Sequence, residues 1–270
     1  MTFIERLKNS WEKKNSLVCV GLDTDLEKIP QHLKNLSKPV FEFNKAIIDA
    51  TAEYISSIKA NIPFYTAYGF MDELIETFQY IHESYPDMPV ILDAKRNDIG
   101  NTAQMYAKEV FDIIGADAVT VNPYMGGDTL EPFTERVDKG VIVLCRTSNP
   151  GAKDLQDLIV NGKKVYQIVA EKVANEWNKN NNLLLVVGAT YPGELKEIRD
   201  IVGNIPILLP GIGAQGGDVK AAMEVGLDSK KQGLIVHSAR GIIYAGSDEN
   251  FADAAAEETK KLRDEINKYR

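Results

Sequence analysis

Two acids bracket one lysine in the stretch Ile91-Leu92-Asp93-Ala94-Lys95-Arg96-Asn97-Asp98-Ile99, where an apolar run breaks into charged side chains. If Val90 to Lys95 is a strand, its period of two puts Asp93 and Lys95 on one face, with Asp98 just past the strand end. Flanking acids keep a lysine protonated, which suits it to meet developing negative charge and unsuits it for Schiff-base chemistry. A salt-bridged strand terminus would show the same residues, because exposed ion pairs are common and weak. Position within a larger repeat weighs against that plainer reading.

Other candidates lie further along. Pro210-Gly211-Ile212-Gly213-Ala214-Gln215-Gly216-Gly217 follows a short apolar run and precedes a helical pattern. Its glycines fit the spacing of a dinucleotide fingerprint, but that needs the first βαβ unit of an open sheet and an acid ending the next strand. The next strand ends instead in His237-Ser238-Ala239-Arg240. Glycine-rich backbone can still approach an anion, and Arg240 offers a permanently charged fork for phosphate oxygens. Ser148, in Arg146-Thr147-Ser148-Asn149-Pro150, has no neighbouring base and no nucleophile elbow, so hydrogen bonding to a ligand is its best functional reading and a plain loop serine the alternative. His32, His82 and His237 show no metal-ligand spacing and are read as structural.

The elements needed to position these residues alternate. An amphipathic helix over residues 3 to 14 precedes a strand from Ser16 to Leu22, which ends at Asp23. A helix from Val40 to Ser56, a short strand ending at Lys59 and a helix from Phe70 to Glu83 follow. After the strand at Val90 comes a helix from about Thr102 to Ile114. Further strands are expected at Ala118 to Val121, Gly140 to Cys145, Leu183 to Val187, Ile205 to Leu209 and Gly233 to Val236. Helical patterns separate them, the longest from Val165 to Lys179, and a helix from about Asn250 to Tyr269 closes the chain. Eight β-α units over ~250 residues predict a (β/α)8 TIM barrel, an α/β fold, with an extra N-terminal helix. No linker splits residues 1–270, so a single barrel domain is expected, with an open doubly wound sheet as the alternative. In a barrel the reactive residues sit at the C-terminal strand ends. Asp23, Lys59, Asp93, Lys95, Asn122, Ser148, Pro210, Gln215 and Arg240 all fall there.

Composition narrows the partners. A chain of 270 residues with 44% hydrophobic content can bury a large core, and a net charge of -8 disfavours nucleic acid or an acidic membrane as a general partner. A small molecule fits better. The two cysteines, Cys19 and Cys145, sit apart in apolar runs and read as buried free thiols in a reducing compartment. No apolar run approaches the ~18 residues that span a bilayer and no signal peptide is evident, so a soluble cytoplasmic protein is expected.

Taken together, Asp93-x-Lys95-x-x-Asp98, Lys59, Asp23 and Arg240 closely resemble the orotidine 5'-phosphate decarboxylase family. The segments Asp93 to Thr102 and Val187-Gly188-Ala189-Thr190-Tyr191-Pro192 look like its longer bacterial-type subgroup, and the likeness runs from about Phe3 to the end. The resemblance implies loss of CO2 from C6 of orotidine 5'-monophosphate to give uridine 5'-monophosphate (UMP), with no metal and no organic cofactor. It implies a charge network of Lys59, Asp93, Lys95 and Asp98 in which Lys95 protonates C6. It further implies that Asp23 and Lys59 hold ribose hydroxyls, Ser148 the pyrimidine, and Gln215 and Arg240 the phosphate, with Pro210 in the substrate site. Asp98 and Thr102 are then expected to reach across a homodimer interface.

Departing CO2 leaves negative charge on C6, so a fixed ammonium there is worth more in the transition state than in the ground state. Metal-dependent decarboxylases of keto-sugar phosphates share the Asp-x-Lys-x-x-Asp pattern, but they need an acidic ligand where this chain has Lys59, and a second cation would repel a divalent metal. A phosphosugar isomerase leaves the triad around Lys95 without a task. A silent phosphate-ligand sensor has no need of it either, although fold alone does not exclude one.

Overall fold

The computed structural model describes residues 1–212 and 218–270. Eight parallel strands close into a barrel: β1 (Val18–Gly21), β2 (Ser57–Asn61), β3 (Val90–Arg96), β4 (Ala118–Val121), β5 (Gly140–Arg146), β8 (Leu183–Val187), β9 (Ile207–Pro210) and β10 (Leu234–Ser238). Between β5 and β8 a small antiparallel hairpin, β6 (Ile159–Val160) with β7 (Lys163–Lys164), stands apart from the barrel. The hairpin carries no strand-length apolar run, so periodicity does not announce it.

Strands buried on both faces need near-continuous apolar sequence. Leu183–Val187 is such a run, and all of its residues are buried. Strand positions agree with expectation to within about two residues at each end, the ordinary scatter of element boundaries. Three helices depart from it. The one expected from Val40 to Ser56 runs from Pro39 to Thr51, five residues short at its C-terminal end. The helix expected at 102–114 starts at Gly100 and passes into a π-helical turn over Glu109–Ile113. The one expected at 165–179 likewise becomes π-helical over Val173–Trp177.

The first helix, Phe3–Lys14, closes the N-terminal end of the barrel. A capping box between Thr2 and Glu5 starts it, and Phe3, Leu7 and Trp11 bury one face. Phe3 packs against Gly140, where a Cβ would stand 2.4 Å from the ring. Asp117, at the foot of β4, anchors this end: it accepts hydrogen bonds from Arg6 at 2.6 Å and from the Val90 amide at 3.0 Å, with His82 at 3.3 Å. Burial raises the proton affinity of Asp117, but His82 and Arg6 outweigh it and the carboxyl stays below its ordinary range. His82 is thus structural, as its spacing predicts.

Arg199 staples the units around β9 and β10. It is buried, and its guanidinium donates to the carbonyls of Gly203 (2.6 Å), Ile205 (2.7 Å), Gly226 (2.8 Å) and Gly233 (2.8 Å). The opposite, C-terminal end of the barrel is left for chemistry.

Candidate active site

A cavity of about 350 Å³ opens at the C-terminal ends of the strands. Asp23, Lys59, Asp93, Lys95, Ser148, Pro210 and Arg240 line it, so the fold gathers seven sequence-predicted site residues from six strand ends. Gln215 lies outside the described residues. Gly211, just before that stretch, holds φ at +102°, a conformation open to glycine.

Asp93 is the centre of the charge network. Its Oδ2 lies 3.0 Å from Lys59 Nζ and its Oδ1 2.6 Å from Lys95 Nζ. Asp23 Oδ1 approaches Lys59 Nζ at 3.7 Å. Lys59 is 2% exposed. Burial alone would strip its charge, but attraction to Asp93 and Asp23 wins and raises its pKa. Burial likewise opposes the Asp93 charge, yet Lys59 and Lys95 hold that carboxyl well below the usual carboxylate range. Both partners therefore stay ionised. Asp23 Oδ1 is buried and has no hydrogen-bond partner among the described residues, which marks it as an acceptor for a ligand donor.

The aim of Lys95 depends on a bulge. Leu92 pairs with Val119 and Arg96 with Val121, so Asp93, Ala94 and Lys95 stand opposite Thr120 alone. Such irregularities re-aim side chains beside active sites. Lys95 takes φ of +48°, rare for a residue with a Cβ and costing on the order of 1–3 kcal/mol. Thr120 Oγ1 accepts from the Ala94 and Lys95 amides, both at 3.0 Å, and donates to Asp93 Oδ1 at 2.9 Å.

A second irregularity falls at the end of β5, where Leu144 pairs with Val186 but Arg146 with Val187. Buried Arg146 grips Glu194 at 2.6 Å, and Gln156 accepts from the Thr147 amide at 2.9 Å while donating to the Thr147 hydroxyl at 2.9 Å. Ser148 is thereby carried on a pinned segment.

Asp98 and Thr102 do not line the cavity of their own chain. Asp98 Oδ1 accepts from the Ile99 amide at 2.8 Å. Large apolar side chains are exposed at Ile99 (59%), Met105 (62%) and Tyr124 (77%).

Sequence reasoning missed Thr120, Arg146 and His237, all of which line the cavity. Lacking metal-ligand spacing, His237 is expected to be structural, yet it borders the cavity. Its Nε2 lies over Gly21, 2.3 Å from where a Cβ would stand, and burial together with the Lys59 charge holds the imidazole neutral. No motif signals these residues, because each acts through register and packing. The buried cysteines behave as expected: burial pushes the Cys19 thiol up to about 12, which keeps it unreactive.

Residues 16–255 match the model of the "Orotidine 5'-phosphate decarboxylase / HUMPS family". The chain belongs to this family. It is 52% identical over 270 residues to the orotidine 5'-phosphate decarboxylase of Dechloromonas aromatica, covering 100% of both chains. It is also 52% identical to the orotidine 5'-phosphate decarboxylase of Cellvibrio japonicus, covering 99% of this chain and 98% of that one. Among solved structures, Leishmania donovani OMP decarboxylase superposes with a TM-score of 0.86 at 37% identity, covering 100% of this chain and 98% of the other. Within the orotidine 5'-phosphate decarboxylase / HUMPS family, Asp93 here has both oxygens engaged by ammonium groups, which leaves a divalent cation little room on that carboxylate.

Proposed function

We propose that the chain converts orotidine 5'-monophosphate to UMP and CO2, the last step of UMP biosynthesis, as a carboxy-lyase acting within one barrel domain over residues 1–270. The observation that carries this reading is the sharing of Asp93 between Lys59 and Lys95 at the mouth of the barrel. An ammonium fixed beside the carbon that loses CO2 stabilises charge that appears only as the bond breaks. Lys95, half exposed to the cavity, fills that role and then donates its proton to C6. Asp93, held ionised, keeps Lys95 protonated and presents a negative charge to the substrate carboxylate. The chain's own charges thus supply the chemistry, with no metal or organic cofactor required.

Substrate positioning divides among the strand ends. Asp23, with a buried oxygen that has no hydrogen-bond partner among the described residues, and Lys59 take ribose hydroxyls; Ser148 reads the pyrimidine; Pro210 lies in the substrate site; Gln215 and Arg240 take the phosphate. Asp98 and Thr102 act in the neighbouring subunit of a homodimer. Their position outside the cavity of their own chain supports that assembly. No helix among the described residues is long and apolar enough to cross a membrane, and a cytoplasmic location fits the small-molecule substrate.

The test is the ultraviolet absorbance of orotidine 5'-monophosphate with purified protein in excess EDTA. Loss of the orotate band with UMP as product is expected. An unchanged spectrum with folded protein would remove the proposal.

A further inference from the structure

We propose that Thr120 is a positioning residue for this decarboxylation, its hydroxyl clasping the β3 bulge so that Lys95 and Asp93 face the substrate together. The inference rests on the reading of Lys95 as the proton donor.

A threonine hydroxyl has one hydrogen to give and two lone pairs to offer. Thr120 spends all three on one short segment: the lone pairs on the Ala94 and Lys95 amides at 3.0 Å each, the hydrogen on Asp93 Oδ1 at 2.9 Å. The residue is 1% exposed, at the floor of the cavity it helps to line. Its strand neighbours Val119 and Val121 pair regularly with Leu92 and Arg96, leaving three residues of β3 to fit against Thr120 alone. The surplus is absorbed by placing Lys95 at φ +48°, and the amide so turned is one that Thr120 accepts from. Without the hydroxyl, two part-buried N–H groups lose their acceptor and the strained lysine loses what holds it. Asp93 also loses a neutral donor on the oxygen that it shares with Lys95. One side chain therefore sets both the backbone from which Lys95 springs and the carboxylate to which it is bound.

The experiment compares Thr120→Val, which keeps the shape and removes the hydroxyl, with Thr120→Ser, which keeps the hydroxyl. Wild-type turnover is measured first, because its absence would overturn the proposed function and, with it, a positioning role in that reaction. Thr120→Val is expected to lower kcat about 100-fold, the scale of a ~1 Å misplacement of a reacting group. Its Kd for UMP should stay within about threefold of wild type, because ribose and phosphate contacts come from other strands. Thr120→Ser should recover most of kcat. A purely structural threonine would lower melting temperature in Thr120→Val while sparing kcat of the folded enzyme, and that result would overturn the proposal. So would a serine variant as impaired as valine, or a Kd for UMP rising in step with the loss of kcat. If Thr120→Val does not fold, Thr120→Ala is read by the same criteria.

Discussion

A methyl group added to Gly188 would lie 2.9 Å from the Cβ of Ser148 and 3.2 Å from its backbone nitrogen. Glycine at the end of β8 is thus what lets the serine-bearing segment settle over the barrel. Gly188→Ala should push Ser148 out of line with the pyrimidine and weaken UMP binding by about tenfold, or 1.4 kcal/mol. Ribose 5-phosphate, which lacks the base, should bind nearly as before. Calorimetric titration of both ligands checks this, and equal losses would count against the role given to Ser148.

Lys95→Ala removes the proposed proton donor, and kcat should fall at least about 10³-fold while the barrel persists in circular dichroism. Arg240→Ala should act chiefly on KM, because phosphate binding is remote from the bond that breaks. Turnover near wild type in the first variant, or an unchanged KM in the second, would reassign those residues.

Sharing of sites between subunits can be tested by mixing. Neither Lys95→Ala nor Asp98→Ala homodimers should be active. In a hybrid of the two, one site has its own Lys95 and receives Asp98 from the other chain. Random exchange should then restore about a quarter of wild-type activity, as an isologous dimer requires. No recovery after verified exchange would argue that Asp98 acts within its own chain.

The folded-state pKa of Asp93 lies below its unfolded value. Its contribution to stability is therefore complete above the ordinary carboxylate range and is lost as pH falls through the folded value. From about pH 5 downward, the unfolding free energy of wild type should drop more steeply than that of Asp93→Asn, by up to about 1.4 kcal/mol per pH unit. Urea titrations of both proteins across that range measure the difference, and parallel slopes would contradict it.

Arg199→Met should cost about 3 kcal/mol or more, since four carbonyls, two of them in buried hydrogen bonds, lose a charged donor together. The midpoint of urea unfolding reports it. Catalytic constants of the folded variant should change little, because Arg199 does not line the cavity.

The barrel was legible because parallel strands buried on both faces write themselves as short apolar runs, Leu183 to Val187 being the plainest. Site residues on single strand ends were legible for a related reason: charge directly after such a run, as at Lys59 and Asp93, has to be exposed or paired. Thr120 was not, because a threonine inside Ala118–Val121 looks like any β-branched strand residue until the register shift opposite it is seen. Arg146 and His237 were hidden by their neighbours, since their partners Glu194 and Gly21 are distant in sequence. The helices at 100–108 and 165–172 pass into π-helical turns at points where the apolar spacing hardly changes.

Both lysines rest on Asp93 at the mouth of the barrel. Gathering these like charges, and twisting the backbone at Lys95, is work done once by the collapse of some 270 residues. Each turnover inherits the arrangement already made. Solvent dipoles need not swing round as charge shifts from carboxylate to carbon, so the reorganisation that slows the same reaction in water is largely absent here.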